Sequence, residues 1–174
     1  MDPAAEALAA EIRNEARATR RVLERVPEER LGWRPHAKSM SLGQLAQHIA
    51  SLPGAISRIA AGDSFDAAKA NFTPEPAAST AAVLATHDAS VEAAGAFLAS
   101  LSAEAATAPW RLTRGEQEVF TLPRLGVMRM LACNHLYHHR GQLTVYLRLL
   151  DVPVPAVYGR SADEDPMAQP RAAS

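Results

Sequence analysis

The chain of 174 residues has little of several residue types that mark other protein classes. Its single cysteine, Cys133, cannot form an internal disulfide, so we expect a reducing, cytoplasmic location. Aromatic residues make up only 5% of the sequence. With abundant alanine and few β-branched residues, this composition favours packed helices over sheets. The length suits a single domain, which we assign to residues 1–160, followed by a polar C-terminal tail at 161–174.

Two further absences limit the partners that we expect. The 18 basic and 19 acidic residues are mixed along the chain and give a formal net charge of −1. Without a basic run or stripe, the sequence predicts no nucleic-acid partner. No stretch approaches the roughly 20 apolar residues of a membrane span, and the first residues lack the pattern of a signal peptide. We therefore also expect no membrane partner.

Hydrophobic periodicity and end signals predict the first two helices. The first begins after Asp2, which fits an N-cap followed by proline, and ends before Pro27. The second begins at a predicted capping box formed by Ser41 and Gln44. Pro53 falls inside the apolar pattern of this helix, where it either kinks the helix or divides it into two.

The remaining pattern completes an all-α prediction. Residues 61–79 form a polar connection that is long enough to carry a crossover, and a third helix follows from about residue 79. Residues 109–122 break the helical rhythm and predict a small hairpin or irregular excursion. The fourth helix is expected over about 123–150. The predicted architecture is a four-helix bundle.

Three histidines lie in the string NHLYHHRGQL of the fourth predicted helix. His135 and His139 are four apart, so their imidazoles lie about 6 Å from each other on one face and can approach the same point. Imidazole is a common ligand of zinc and late transition metals. A polar group buried without a partner is costly, and a metal ion would compensate this pair. The pair belongs to a stripe predicted to face the core: Met128, Leu131, His135, His139, Gln142, Tyr146 and Leu149.

A catalytic zinc has three protein ligands and keeps one position for water or substrate, so a third ligand is needed. His48 adjoins the apolar stripe of the second helix, and His87 lies within that of the third. His36 follows a proline in a loop, where exposure is expected. Spacing alone ranks His48 and His87 close together. The competing interpretation is that His135 and His139 are core histidines bonded to backbone or carboxylate groups.

Other residues near the pair have secondary predicted roles. His138 is expected to line the site, although His135 and His138 form a rival pair three residues apart. Gln142 is placed to hydrogen-bond a ligand ring or a bound water. Arg140 is predicted to point away from the metal face and to fix the helix against a loop or a partner. No carboxylate is at a spacing that suggests a general base, so the catalytic candidates are His138 and His87.

Two histidine segments, SMSLGQLAQHIA and NHLYHHRGQLTVYLRLLDVPVP, carry a family resemblance. Together with RLGWRPHAKSMSLGQL and VPVPAVYG, they resemble the DinB/YfiT-like superfamily of metal-binding four-helix bundles. The resemblance covers most of residues 5–160 and is weak between 61 and 125. It implies a long crossover between helices two and three. It also implies that one histidine of helix two and two histidines of helix four hold a divalent metal: here His48, His135 and His139.

Three neutral imidazoles and an open position make a Lewis-acid site that activates water or holds a thiolate. The resemblance implies relatives that include transferases and isomerases acting with low-molecular-weight thiols. We therefore expect a divalent-metal-dependent enzyme, either a hydrolase or a low-molecular-weight-thiol S-transferase, with zinc or nickel and a small-molecule substrate. The alternative is a non-catalytic metal-binding stress-response protein. The resemblance also suggests a homodimer.

Overall fold

The structure, a computed structural model, describes residues 2–73 and 75–167 and is mostly helical with a small sheet. The last part of the predicted tail, 168–174, lies outside the described residues. A π-helical stretch, Met128–Asn134, joins two of the helices, so 124–149 is one continuous helical segment. The helices are α1 Pro3–Leu23, α2 Leu42–Ala60, α3 Thr80–Ser100, α4 Ala103–Thr107, α5 Arg124–Val127 and α6 His135–Leu149, and the strands are β1 Ser64–Asp66, β2 Pro109–Arg114 and β3 Gln117–Pro123.

The long helical segments pack against one another in pairs. α2 packs against α3 and against the segment 124–149, while α1 packs against α3 and α6. The polar connection 61–79 carries the chain from α2 to α3, as the sequence predicts. Among the described residues, none of the helices combines the length and apolar character that crossing a bilayer requires.

The all-α prediction is wrong in one respect, because a three-stranded sheet is present. The predicted hairpin is confirmed: β2 and β3 pair antiparallel, and Gly115 in their turn has a φ of 61°. β1 was not predicted, and it pairs parallel with β2. A strand of three residues has too little periodicity to stand out in a polar connection. Its pairing with β2 depends on contacts distant in sequence, and Phe65 packs against the core.

The predicted starts of α1 and α2 are confirmed by their caps. The Asp2 carboxylate accepts the backbone N–H groups of Ala4 at 2.9 Å and Ala5 at 3.0 Å. The Ser41 hydroxyl accepts the Gln44 N–H at 3.2 Å, and the Gln44 side chain accepts the Ser41 N–H at 3.0 Å. These bonds satisfy N–H groups that have no partner within the helix. The second cap sets the start of the helix that carries His48.

Pro53 lies within α2 without dividing it, at a close contact with α3. The Gly54 N–H donates to the Ser90 hydroxyl at 2.7 Å, and this hydroxyl donates to the Ser51 carbonyl at 3.1 Å. A Cβ at Gly54 would lie 3.1 Å from the Ser90 Cα. The bonded approach of the two helices therefore leaves little space for a side chain at this position and favours glycine. It fixes the half of α2 that follows His48.

Two glycines test this contact because they lie in helix interiors but differ in surroundings. Gly54→Ala is expected to lower the free energy of unfolding by about 1–3 kcal/mol, since the added methyl group overpacks the contact with α3. Gly95→Ala, whose added Cβ would meet nothing within 4 Å, should raise it by about 0.5–1 kcal/mol. Urea denaturation of both variants measures the difference. Equal stabilisation by both substitutions would contradict the close contact.

Candidate metal centre

Three histidine side chains meet between α2 and α6. The Nε2 atom of His135 lies 3.4 Å from Nε2 of His48 and 2.8 Å from Nε2 of His139. One ring nitrogen from each residue lies within 4.8 Å of the others, so the group could hold a metal ion. The structure thus brings together His48, which the family resemblance favoured, and the pair spaced by four residues. Within the described residues, no further histidine, cysteine or carboxylate joins the group.

The histidines lie at the edge of the core, which corrects the predicted stripe. Met128 is fully buried, but His135 is only partly buried and Leu149 is 57% exposed. Bonds between residues five apart place more residues in each turn, so the π-helical stretch rotates α6 relative to an unbroken α-helix. With this rotation the imidazoles lie at the edge of the core rather than inside it. The buried face of α6 consists of Leu136, Arg140, Leu143 and Leu147.

The π-helical stretch also leaves a partner for the His135 ring. The backbone N–H of His135 donates to the Ala132 carbonyl, three residues back, rather than to Leu131. The His135 ring donates a hydrogen bond to the backbone of Leu131, and this bond favours a proton on the ring nitrogen that makes it. Because Nε2 faces the other histidines, the nitrogen that donates to Leu131 is Nδ1. The Nε2 atom of neutral His135 is then left with its lone pair.

Gln142 fixes the His139 ring in the corresponding tautomer, with the proton on Nδ1. Its amide nitrogen lies 3.1 Å from Nε2 of His138 and donates to it, so its amide oxygen faces Nδ1 of His139 at 2.7 Å. An amide oxygen only accepts, and Nδ1 of His139 therefore carries the proton. The neutral His139 ring consequently also presents a lone pair on Nε2. The prediction that Gln142 hydrogen-bonds a ring of the histidine pair is confirmed.

These two tautomers leave a lone pair on each of two Nε2 atoms that lie 2.8 Å apart. Like lone pairs repel unless a proton or a cation lies between them. Burial, followed by repulsion from His139 and His135, lowers the pKa of His48 to about 4. Burial also lowers the pKa values of His135 and His139, which favours neutral rings at neutral pH. A divalent cation fits this donor set because it binds neutral imidazole nitrogens and compensates their mutual repulsion.

A pocket of about 380 Å³ adjoins the group and is lined by His48 and His135. The α2 side of the pocket includes Gln47, Ser51 and Ile56. Its other side comes from residues 70–75 of the connection to α3, with residue 74 outside the description. The sequence did not identify this second side, because it lies in a polar connection without periodicity and where the family resemblance is weak.

The two catalytic candidates lie in different places. The His138 ring is exposed, and its centroid lies 4.9 Å from that of His139. His87 is 2% exposed and lines a small cavity with Cys133 on the side of α1. Its Nδ1 lies 3.3 Å from the Asp88 carboxylate, and Nε2 has no hydrogen-bond partner among the described residues. The structure therefore brings His138, but not His87, next to the group.

Two other side chains of the segment 124–149, Arg140 and Cys133, lie outside the histidine group. Arg140 is 2% exposed and points toward α1, where it pairs with the Glu15 carboxylate at 2.7 Å and donates to the Thr19 hydroxyl at 3.1 Å. Arg140 therefore points away from the histidines, as predicted, and it fixes the segment against helix α1 as well as against the stretch after α6, where it donates to the Tyr158 hydroxyl. Cys133 is buried, and burial raises the pKa of its thiol to about 11. It lies outside the histidine group.

The fold and site define a class of mostly helical proteins with a histidine cluster between two helices. The chain belongs to the DinB family, whose model matches residues 1–171. It is similar to the uncharacterized protein YrdA of Bacillus subtilis (strain 168), with 29% identity over 153 residues that cover 86% of this chain and 85% of YrdA.

Two solved structures show the same fold. One is a DinB-like protein from Bacillus cereus ATCC 10987, with a TM-score of 0.67 and 22% identity, and the match covers 88% of this chain and 97% of that chain. The other is the DinB-like protein YjoA from Bacillus subtilis, with a TM-score of 0.63 and 17% identity, covering 84% and 94%. At these identities, the likeness concerns the fold alone.

The lowered pKa of His48 predicts how acid affects the metal-free protein. In the unfolded chain His48 takes up a proton near its ordinary pKa of 6.5, whereas in the folded chain it does so near about 4. The unfolded state therefore binds more protons in this window, and the free energy of unfolding should fall as the pH decreases from about 7 to about 4. Urea denaturation of chelator-treated protein across this range measures the fall.

His48→Gln removes this titrating ring and should make the fall less steep. His36→Gln is the matched control, since it removes a histidine from an exposed loop. An equal pH dependence in wild type and His48→Gln would contradict the account of the His48 environment.

Proposed function

We propose that the chain is a divalent-metal-dependent enzyme in which His48, His135 and His139 hold the metal, with zinc or nickel as the metal. The observation that carries this proposal is the convergence of three Nε2 atoms beside a pocket. A metal held by three imidazoles supplies a Lewis acid that activates water or a thiol. The reaction class is therefore hydrolysis or the transfer of a low-molecular-weight thiol.

The remaining residues of the site position these ligands and receive a small-molecule substrate. The Leu131 carbonyl and the Gln142 amide fix the two rings of α6, as partners of metal ligands commonly do. The pocket along α2 gives a substrate access to His48 and His135. We propose His138 as the proton acceptor, because its ring lies beside that of His139. His87, the second candidate, lines a separate cavity on the α1 side and would need to reach the site from there.

The architecture forms part of the same proposal. We infer that α1, α2, α3 and the segment 124–149 correspond to the four-helix bundle implied by the family resemblance. The ligands then come from two neighbouring segments, α2 and α6. Their relative position depends on helix packing rather than on a loop, which favours a preorganised site.

Metal content and turnover test this proposal together. Chelator-treated protein should bind one equivalent of Zn²⁺ or Ni²⁺, and His135→Ala should weaken this affinity by at least about 100-fold, because two histidines remain. His36→Ala is the control for loss of an exposed histidine. Isothermal titration measures the binding, and an electrophile with added thiols, compared with simple esters, distinguishes transferase from hydrolase activity. Binding without turnover would favour the non-catalytic metal-binding alternative.

Gln142 provides a separate test of how the ligands are positioned. Gln142→Ala removes the acceptor for Nδ1 of His139, so metal affinity should fall by about 10- to 100-fold without loss of any ligand. Thr144→Ala, on the same helix, is the matched control, because among the described residues the Thr144 hydroxyl donates to the Gly141 carbonyl and contacts no histidine ring. Competition with a chromophoric chelator measures both affinities. Unchanged affinity in Gln142→Ala would exclude this orienting role.

A further inference from the structure

The pocket beside the histidines has an apolar side and a mixed rim, in which the apolar Ala70 and Phe72 alternate with polar side chains. Leu52, Ile56 and Ile59 of α2 line it together with Phe65 of β1. The opposite rim comes from the segment that leads to α3 and includes Asn71, Thr73 and Glu75, which the structure describes. A molecule that reaches His48 or His135 through this pocket would place an aliphatic stem on the apolar side and its far end near the rim.

The charge that the described side chains place on the rim is negative. Glu75 is the single charged side chain among the described lining residues, and no lysine or arginine is in that set. Lys69, earlier in the same connection, pairs with Asp66 at 3.4 Å and does not line the pocket. The Glu75 carboxylate is exposed and has no ion pair or hydrogen bond within the part of the chain that the structure describes. Its charge is thus available to a ligand.

We propose that the pocket selects substrates with a protonated amine at the end remote from the reacting group, and that Glu75 pairs with this amine. The inference rests on the proposed function and narrows its substrate class to amine-bearing molecules such as short aliphatic amino thiols. The reacting thiol or carbonyl approaches the histidines, and the stem contacts Leu52 and Ile56. A carboxylate at the far end would meet Glu75 with like charge, which disfavours binding.

Alkanethiols that differ in the charge of their far end test this preference. Amine-terminated and carboxylate-terminated thiols, each with a two-carbon and a six-carbon stem, are titrated into protein loaded with Co²⁺. Thiolate-to-cobalt charge-transfer absorption reports coordination directly, so no turnover is needed. At the stem length that reaches Glu75, we expect the amine-terminated thiol to bind about 2- to 5-fold more tightly than its carboxylate counterpart. Added salt should reduce this preference, because the rim is exposed.

Variants assign the preference to one side chain. Glu75→Gln should abolish the preference for the amine or reverse it, since the positive charge of the metal then remains without the carboxylate. Glu116→Gln, in the exposed hairpin turn, is the matched control and should keep the wild-type preference. Equal binding of both thiols at both lengths, or an unchanged preference in Glu75→Gln, would overturn the inference alone. If Co²⁺ binds but neither thiol coordinates, the result would contradict both this inference and the proposed thiol chemistry.

Discussion

The site depends on the convergence of unprotonated imidazole nitrogens. Nδ1 of His139 donates to Gln142, and the outward nitrogen of His135 donates to the Leu131 carbonyl. Both rings are thereby left with a lone pair on Nε2, and these two nitrogens lie 2.8 Å apart. Nε2 of His48 lies 3.4 Å from Nε2 of His135. Burial lowers all three pKa values, which makes protonation an expensive way to relieve the repulsion. A divalent cation relieves it without that cost.

The surrounding fold maintains this arrangement. The π-helical stretch Met128–Asn134 rotates α6 so that its histidines face the pocket while Leu143 and Leu147 stay buried. It also leaves the Leu131 carbonyl available to the His135 ring. On the other side, the Ser90 hydroxyl bonds α2 at Ser51 and Gly54, in the turns that follow His48. Rigid elements on both sides therefore set the distances between the nitrogens.

How much the sequence predicts depends on how local the cause is. The capping box at Ser41, the hairpin around Gly115 and the pair His135 and His139 have short-range causes, and each prediction agrees with the structure. His48 required the family resemblance, because spacing within α2 does not show which face meets α6. β1 depends on pairing with β2, which is distant in sequence. The prediction that the stripe from Met128 to Leu149 faces the core was wrong, because helical periodicity assumes α geometry and does not anticipate a π-helical stretch.

X-ray absorption spectroscopy of the protein loaded with one equivalent of Zn²⁺ tests the central claim most directly. Three imidazole nitrogens should appear at about 2.0–2.1 Å from the metal, together with an exchangeable oxygen donor and no sulfur. In His48→Ala the number of imidazole ligands should fall to two. A spectrum with fewer than three imidazoles in the wild type, or one unchanged by His48→Ala, would contradict the account.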